Sequence, residues 1–281
     1  GEVTTSGYTI IDLPTPSQQL VHVYPGMEEL GRVYRADLAI NAGPNRFTDA
    51  VQKIEAPSAL PWSKWRRQLR DDYLAWSEPR PQPGTVQLGE IIRSLRAELP
   101  RDAVVTNGAG NYTAWLHRHH RYCAPGSQLA PTSGSMGYGL PAAIAAKLLQ
   151  PQRTAIAFSG DGCFLMTGQE LATAVQYELS LVVILINNGM YGTIRMHQEK
   201  RYPGRISGTD LVNPDFCKLA VAFGAYAERV KETKEFIPAL RRAVANNGPT
   251  LIELMVDPNA ISPNQTLAEI RAAATINAAT T

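Results

Sequence analysis

Two apolar runs, each stopped by a polar turn, constrain this chain more than any other feature. The first, Thr154-Ala155-Ile156-Ala157-Phe158-Ser159, runs into Gly160-Asp161-Gly162. The second, Leu181-Val182-Val183-Ile184-Leu185-Ile186, runs into Asn187-Asn188. Short apolar runs bounded by turn formers have the length of strands buried on both faces. Gly168 to Leu179, between them, reads as a helix, and Asp161 and Asn188 lie 27 positions apart. That distance suits a crossover joining parallel strands. One carboxylate and one carboxamide therefore reach the same end of two neighbouring strands, where open α/β sheets bind ligands. Both offer oxygen, as a hard divalent cation holding phosphate oxygens requires. Each also has a plainer use, Asp161 as a helix N-cap and Asn187-Asn188 as a strand-to-loop turn. Their joint placement, with Gly162 and Gly189 beside them, favours the metal reading.

The remaining chain supports an α/β fold, doubly wound and mostly parallel, with helices on both faces of the sheet. Residues 1–55 read as a short α/β remnant: strands over 20–24 and 37–41, a helix over 27–33, and a helix from a Thr48 cap to Ile54. Residues 56–84 read as a linker carrying one helix, Trp65 to Trp76, with Arg66, Arg67 and Arg70 outward. Residues 85–263 form the main domain. Its expected elements are a helix over 87–99, a strand over 103–106, a helix over 141–149, and the unit described above. A helix over 216–223, a strand over 225–230, a helix over 233–245 and a strand over 250–256 follow. Residues 264–281 form a tail that reads as a loose helix. The basic stretch 117–121 reads as a solvated helix face.

Composition excludes several functions. A net charge of +2 argues against nucleic acid as partner, and no apolar run reaches membrane-spanning length. Cys123, Cys163 and Cys217 have neither metal-ligand nor disulfide spacing, which fits a reducing, cytoplasmic setting. Cys163 reads as a packing residue, because no His partner is apparent nearby. The start at Gly1 shows no initiator Met or signal segment, so a fragment of a longer protein is expected.

Three glycine turns approach strand ends: Gly108-Ala109-Gly110-Asn111, Gly134-Ser135-Met136-Gly137-Tyr138-Gly139 and Gly160-Asp161-Gly162-Cys163. Such turns let backbone amides approach a diphosphate. None has the dinucleotide G-x-G-x-x-G pattern, since Thr113 and Leu165 stand at the last position. Gly-Asp-Gly followed by Asn-Asn resembles the thiamine diphosphate-binding motif. Ser133 to Ala143 resembles the cofactor loop of the acetolactate synthase and 2-oxo-acid decarboxylase group. The likeness runs from about Thr85 to Pro263, and residues 1–55 more weakly resemble the end of that group's central domain.

The resemblance implies thiamine diphosphate and Mg²⁺ as cofactors. Asp161, Asn188 and the carbonyl of Met190 are implied metal ligands, with Asn187 shaping the turn. Gly110, Asn111 and Tyr112 match diphosphate-contacting positions, and Gly162, Cys163 and Gly192 are matched as amide donors. Gly160 and Tyr191 belong to the same cofactor-binding set. Met136 matches the apolar wedge beneath the cofactor, and the Gly134 carbonyl the acceptor for its amino group. The implied substrate is a 2-oxo acid, processed by acetolactate synthase-like carboligation or by simple decarboxylation of the benzoylformate type. A non-catalytic module and a phosphate-binding module for another ligand remain alternatives.

The chain departs from the group in three places. No residue matches the glutamate that the group carries in an N-terminal pyrimidine-binding domain. The catalytic set is therefore expected to be incomplete here, and to be finished by that domain of a neighbouring subunit in a homodimer or homotetramer. His197 stands where a Trp is usual in biosynthetic members, and is either a substrate-side or a surface residue. Tyr24 stands where many members carry an acid, which makes FAD doubtful.

Overall fold

The structure, a computed structural model, describes residues 11–279. It divides into two compact units, one up to Gln68 and one from Leu69 onward. In the first, β1 (Val21–Tyr24) and β2 (Leu38–Asn41) pair in parallel, Val21 opposite Leu38. The helix expected over 27–33 is a single 3₁₀ turn, Met27–Glu29. Leu30 behind it is extended, and Gly31 takes φ +79°, a conformation that ends a helix. Helix α1 (Pro44–Val51) begins four residues before the expected Thr48 cap. Pro44 takes the first turn, where its fixed φ suits a helix and its missing N–H costs nothing. Thr48 instead sits inside the helix, its hydroxyl donating to the Pro44 carbonyl at 2.8 Å. Helix α2 (Ser63–Trp76) contains the division between the units.

The second unit runs α3 (Leu88–Glu98), β3 (Val104–Asn107), α4 (Tyr112–His119), β4 (Gln128–Leu129), α5 (Gly139–Leu149) and β5 (Ala155–Gly160). It continues with α6 (Asp161–Thr167), α7 (Leu171–Gln176), β6 (Leu181–Asn187), α8 (Gly192–Arg201) and α9 (Phe216–Ala222). It ends with β7 (Tyr226–Val230), α10 (Phe236–Ala245), β8 (Thr250–Met255) and α11 (Leu267–Ala279). The six strands of this unit lie in the order β4-β3-β5-β6-β8-β7, and every pairing is parallel.

The strand period of two explains the layers. Ile156, Phe158, Val182, Ile184 and Ile252 point to one face, where α3, α4 and α10 cover them with Ile91, Trp115 and Phe236. Ala155, Ala157, Leu181, Val183 and Leu251 point to the other, under Leu140, Leu171 and Phe216 of α5, α7 and α9. Two-sided covering is why these strands read as unbroken apolar runs. No helix among the described residues is long and apolar enough to cross a membrane.

The stretch 117–121 corrects its expected solvated face, since Arg118 and His119 are each only 2% exposed. Arg118 stacks on the Trp76 ring at 4.7 Å and donates to the Trp76 carbonyl and to Asn264. The His119 ring nitrogen Nδ1 lies 2.9 Å from the Ser77 carbonyl. This face of α4 thus docks on the end of α2, where the Trp76 carbonyl takes Arg118 Nε and Asn264 takes Nη1, while Nη2 is buried without a partner.

Candidate functional site

Register sets the site. Gly160 of β5 pairs with Ile186 of β6, so Asp161 leaves the sheet level with Asn187, the last residue of β6, and Asn188 follows one residue on. Asp161 is not the N-cap of α6: Gly160 holds that extended position and Asp161 opens the helix. The carboxylate is 2% exposed. Its Oδ1 accepts from Gly162 N at 2.8 Å, and its Oδ2 from Gly189 N and Asn213 Nδ2, each at 2.8 Å. Burial pushes its pKa above the ordinary carboxyl value, and these hydrogen bonds oppose the rise only in part.

The two asparagines differ. Asn187 is spent on structure: it donates to Glu253 at 2.7 Å and accepts from Asn213 at 3.0 Å and from Gly189 N at 3.2 Å. Asn188 lines the cleft, and its Oδ1 accepts only a 3.3 Å bond from Met190 N. Met190 bridges Asp210 in antiparallel fashion, through Tyr191 N to the Thr209 carbonyl and Leu211 N to the Gly189 carbonyl. In that pairing Met190 turns its own N–H and C=O away from the bridge, toward the edge that Asn188 occupies.

An open cleft of about 500 Å³ joins these groups to Gly110, Asn111, Tyr112, Met136, Cys163, Tyr191 and Gly192. The N-termini of α4, α6 and α8 meet at it, bringing unpaired backbone N–H groups and partial positive charge. Gly162 must be glycine, because a Cβ there would lie 2.7 Å from the Tyr191 ring. Asp161 is the one charged side chain on the lining, and no Lys, Arg or His answers it there.

Residues 108–254 match the family described as "Thiamine pyrophosphate enzyme, C-terminal TPP binding domain". The chain belongs to the thiamine pyrophosphate enzymes. It is 30% identical over 244 residues to the acetolactate synthase isozyme 2 large subunit of Escherichia coli, covering 86% of this chain and 44% of that protein. It is also 30% identical to the acetolactate synthase large subunit of Corynebacterium glutamicum, over 89% of this chain and 42% of the relative. Among solved structures, the thiamine diphosphate-dependent 4-hydroxybenzoylformate decarboxylase of Rhodococcus jostii RHA1 superposes with a TM-score of 0.72 at 26% identity. That match covers 86% of this chain and 45% of the decarboxylase. The chain thus spans under half the length of these relatives.

The pyrophosphate enzyme cleft gathers most of the residues singled out in the sequence. Tyr112 is buried, with its hydroxyl 3.4 Å from the Phe158 carbonyl, so only its backbone faces outward tasks. Asn111 is committed to the Ile261 carbonyl at 3.0 Å and to the Thr193 hydroxyl at 2.9 Å, which ties the start of α4 to the start of α8. Cys163 is 3% exposed, its thiol donating to the Ala109 carbonyl at 2.6 Å, a packing role. Met136 is 37% exposed and lines the cleft. Gly134, at φ +67°, is outside the lining residues, and so is His197, exposed on α8.

Sequence reading missed Asn213, Glu253, Thr193 and Ile194. Glu253 carried a signal, a lone acid in the apolar run 251–254. Asn213 carried none, because only the fold brings it to Asp161.

Proposed function

We propose that this chain is the diphosphate-anchoring part of a thiamine diphosphate- and Mg²⁺-dependent enzyme acting on a 2-oxo acid, with acetolactate synthase-like carboligation as its activity. One observation carries the reading: Asp161 is buried without a counter-charge, beside Asn188 and three helix N-termini. An uncompensated buried carboxylate is costly, and a divalent cation removes the cost. Asp161, Asn188 and the Met190 carbonyl are the proposed Mg²⁺ ligands. The backbone N–H groups of Tyr112, Cys163 and Gly192 would take diphosphate oxygens, that of Gly162 being spent on Asp161 Oδ1, and Met136 would support the rings. Bound thiamine diphosphate supplies the electron sink for decarboxylating a 2-oxo acid. The chain's own residues anchor, orient and neutralise.

The cleft lining holds no second acid, so proton handling is assigned to a pyrimidine-binding domain of a neighbouring subunit in a homo-oligomer. Simple decarboxylation is the second reading, favoured by the structural likeness to the Rhodococcus decarboxylase. Thermal-shift titration tests the anchoring role. Thiamine diphosphate with Mg²⁺ should stabilise the chain by about 2.7 kcal/mol at a hundredfold excess over Kd, and nucleotides should not. No shift overturns the reading. Pyruvate turnover by the chain alone would show that no second domain is needed. Mass analysis of products from the completed enzyme separates acetolactate from a protonated aldehyde.

A further inference from the structure

A second cavity lies at the opposite end of β3 from the cofactor cleft. It is an open hollow of about 580 Å³, solvent at its mouth included, between the last turn of α3, Ala103 before β3, and the stretch after α4. Leu95, Leu99 and Pro100 make an apolar wall. Arg96, Arg101, Arg121 and His120 are on the lining, Arg121 close enough to act on Arg96, and no Asp or Glu is there.

The charges around it do not cancel. Arg96 spends one N–H on the His119 carbonyl at the end of α4, but its Nε is buried without a partner, as is Nδ1 of His120. Burial first, then Arg121, pulls the Arg96 pKa down. Glu78 acts on Arg96 from a distance but is bonded to Arg93 at 2.5 Å. The C-termini of α3 and α4 add partial negative charge of about half a unit each, which falls short of three guanidiniums.

We propose that this cavity binds a small carboxylate carried on an apolar body. The guanidinium forks match a carboxylate in geometry and charge. The apolar wall and the edge-to-face His120–Tyr122 pair, with ring centroids 4.7 Å apart, fit a flat hydrophobic group. Gln128 approaches the Tyr122 hydroxyl without reaching hydrogen-bond geometry. Arg96 Nε and His120 Nδ1 are shielded from water, so the ligand enters with a turn of these side chains. Both atoms can then gain the partner they lack.

Calorimetric titration of the whole chain with benzoate, at ionic strength held constant with sodium chloride, tests the site. Inorganic phosphate forms the second arm. Saturable benzoate binding is expected, weaker by about tenfold or more when Arg101→Gln and Arg121→Gln are combined. Both side chains are exposed, so the fold should survive. The thermal shift with thiamine diphosphate and Mg²⁺ should be unchanged in the double variant. Saturating benzoate should also raise the NMR titration midpoint of His120 from about 4. Absence of saturable benzoate binding, or binding that survives the double substitution, overturns the proposal. Phosphate binding as tight as benzoate overturns its apolar part.

Discussion

At the C-terminal ends of β5 and β6 one carboxylate, Asp161, is buried among neutral donors; before the start of β3, three arginines line a cavity that no Asp or Glu lines. The two ends of one sheet are thus left unbalanced in opposite senses. A third place on the same sheet shows what balance looks like. Glu253, 1% exposed in β8, meets the Arg229 guanidinium at 2.7 Å and the Asn187 amide at 2.7 Å. Asp215, Cys217 and Glu253 lie close enough together to suggest a metal cluster. Arg229 already stands there, bonded to both acids, and burial pushes the Cys217 thiol up to about 11, so it stays protonated. Charge that is answered within the protein marks structure, and charge that is not marks a place for a ligand.

The largest effect should come from breaking the unanswered acid. Asp161→Ala should abolish the Mg²⁺-dependent part of the thermal shift, a loss of about 2.7 kcal/mol at a hundredfold excess of cofactor over Kd. The apo protein should change little, because relief of the buried charge is offset by Gly162 N, Gly189 N and Asn213 Nδ2 losing their acceptor. An unchanged shift would remove Asp161 from the metal site.

The answered acid should behave in the opposite way. Glu253→Ala leaves the Asn187 amide and part of Arg229 without an acceptor, and should cost about 1–3 kcal/mol in urea unfolding with no cofactor present. Glu253→Gln keeps an acceptor oxygen and should cost less. If Glu253→Ala proves neutral while Asp161→Ala destabilises the apo chain, the contrast between the two acids fails.

The same contrast explains what the sequence could reveal. β5 and β6 were legible because both faces are covered, which leaves an unbroken apolar run. Asp161 and Asn188 were legible because strand ends carry them. Helix α8 was not, since its fully buried residues are Arg195, bonded to Thr209 at 2.6 Å, and Glu199, bonded to Arg271 at 2.9 Å. A helix that buries ion pairs has no apolar period to read. Helix α4 was hidden similarly, its inner face shared between Trp115, Leu116 and the buried Arg118 and His119. The β4 edge is two residues long and too short to show a pattern. Asn213 reaches Asp161 from 52 positions away, and no local rule finds such a contact.

The smallest effect concerns the basic end and has a definite sign. Burial, helped by Arg96, lowers the His120 pKa from 6.5 to about 4. Between these values the unfolded chain binds a proton that the native chain refuses. Stability therefore falls as pH drops through this window and levels off below it. The full interval corresponds to roughly 3 kcal/mol at 1.36 kcal/mol per unit, and relaxation of the partly open cavity should reduce it to about 1 kcal/mol. His117 and His119, also lowered by burial, push in the same direction. The difference between the wild type and His120→Gln isolates the one residue. Urea midpoints from about pH 7 to about pH 4 should fall less steeply in the variant. Saturating benzoate should flatten the wild-type slope, because a carboxylate beside the ring lets it hold its proton. A slope that benzoate steepens would mean that the cavity does not gather the charge assigned to it.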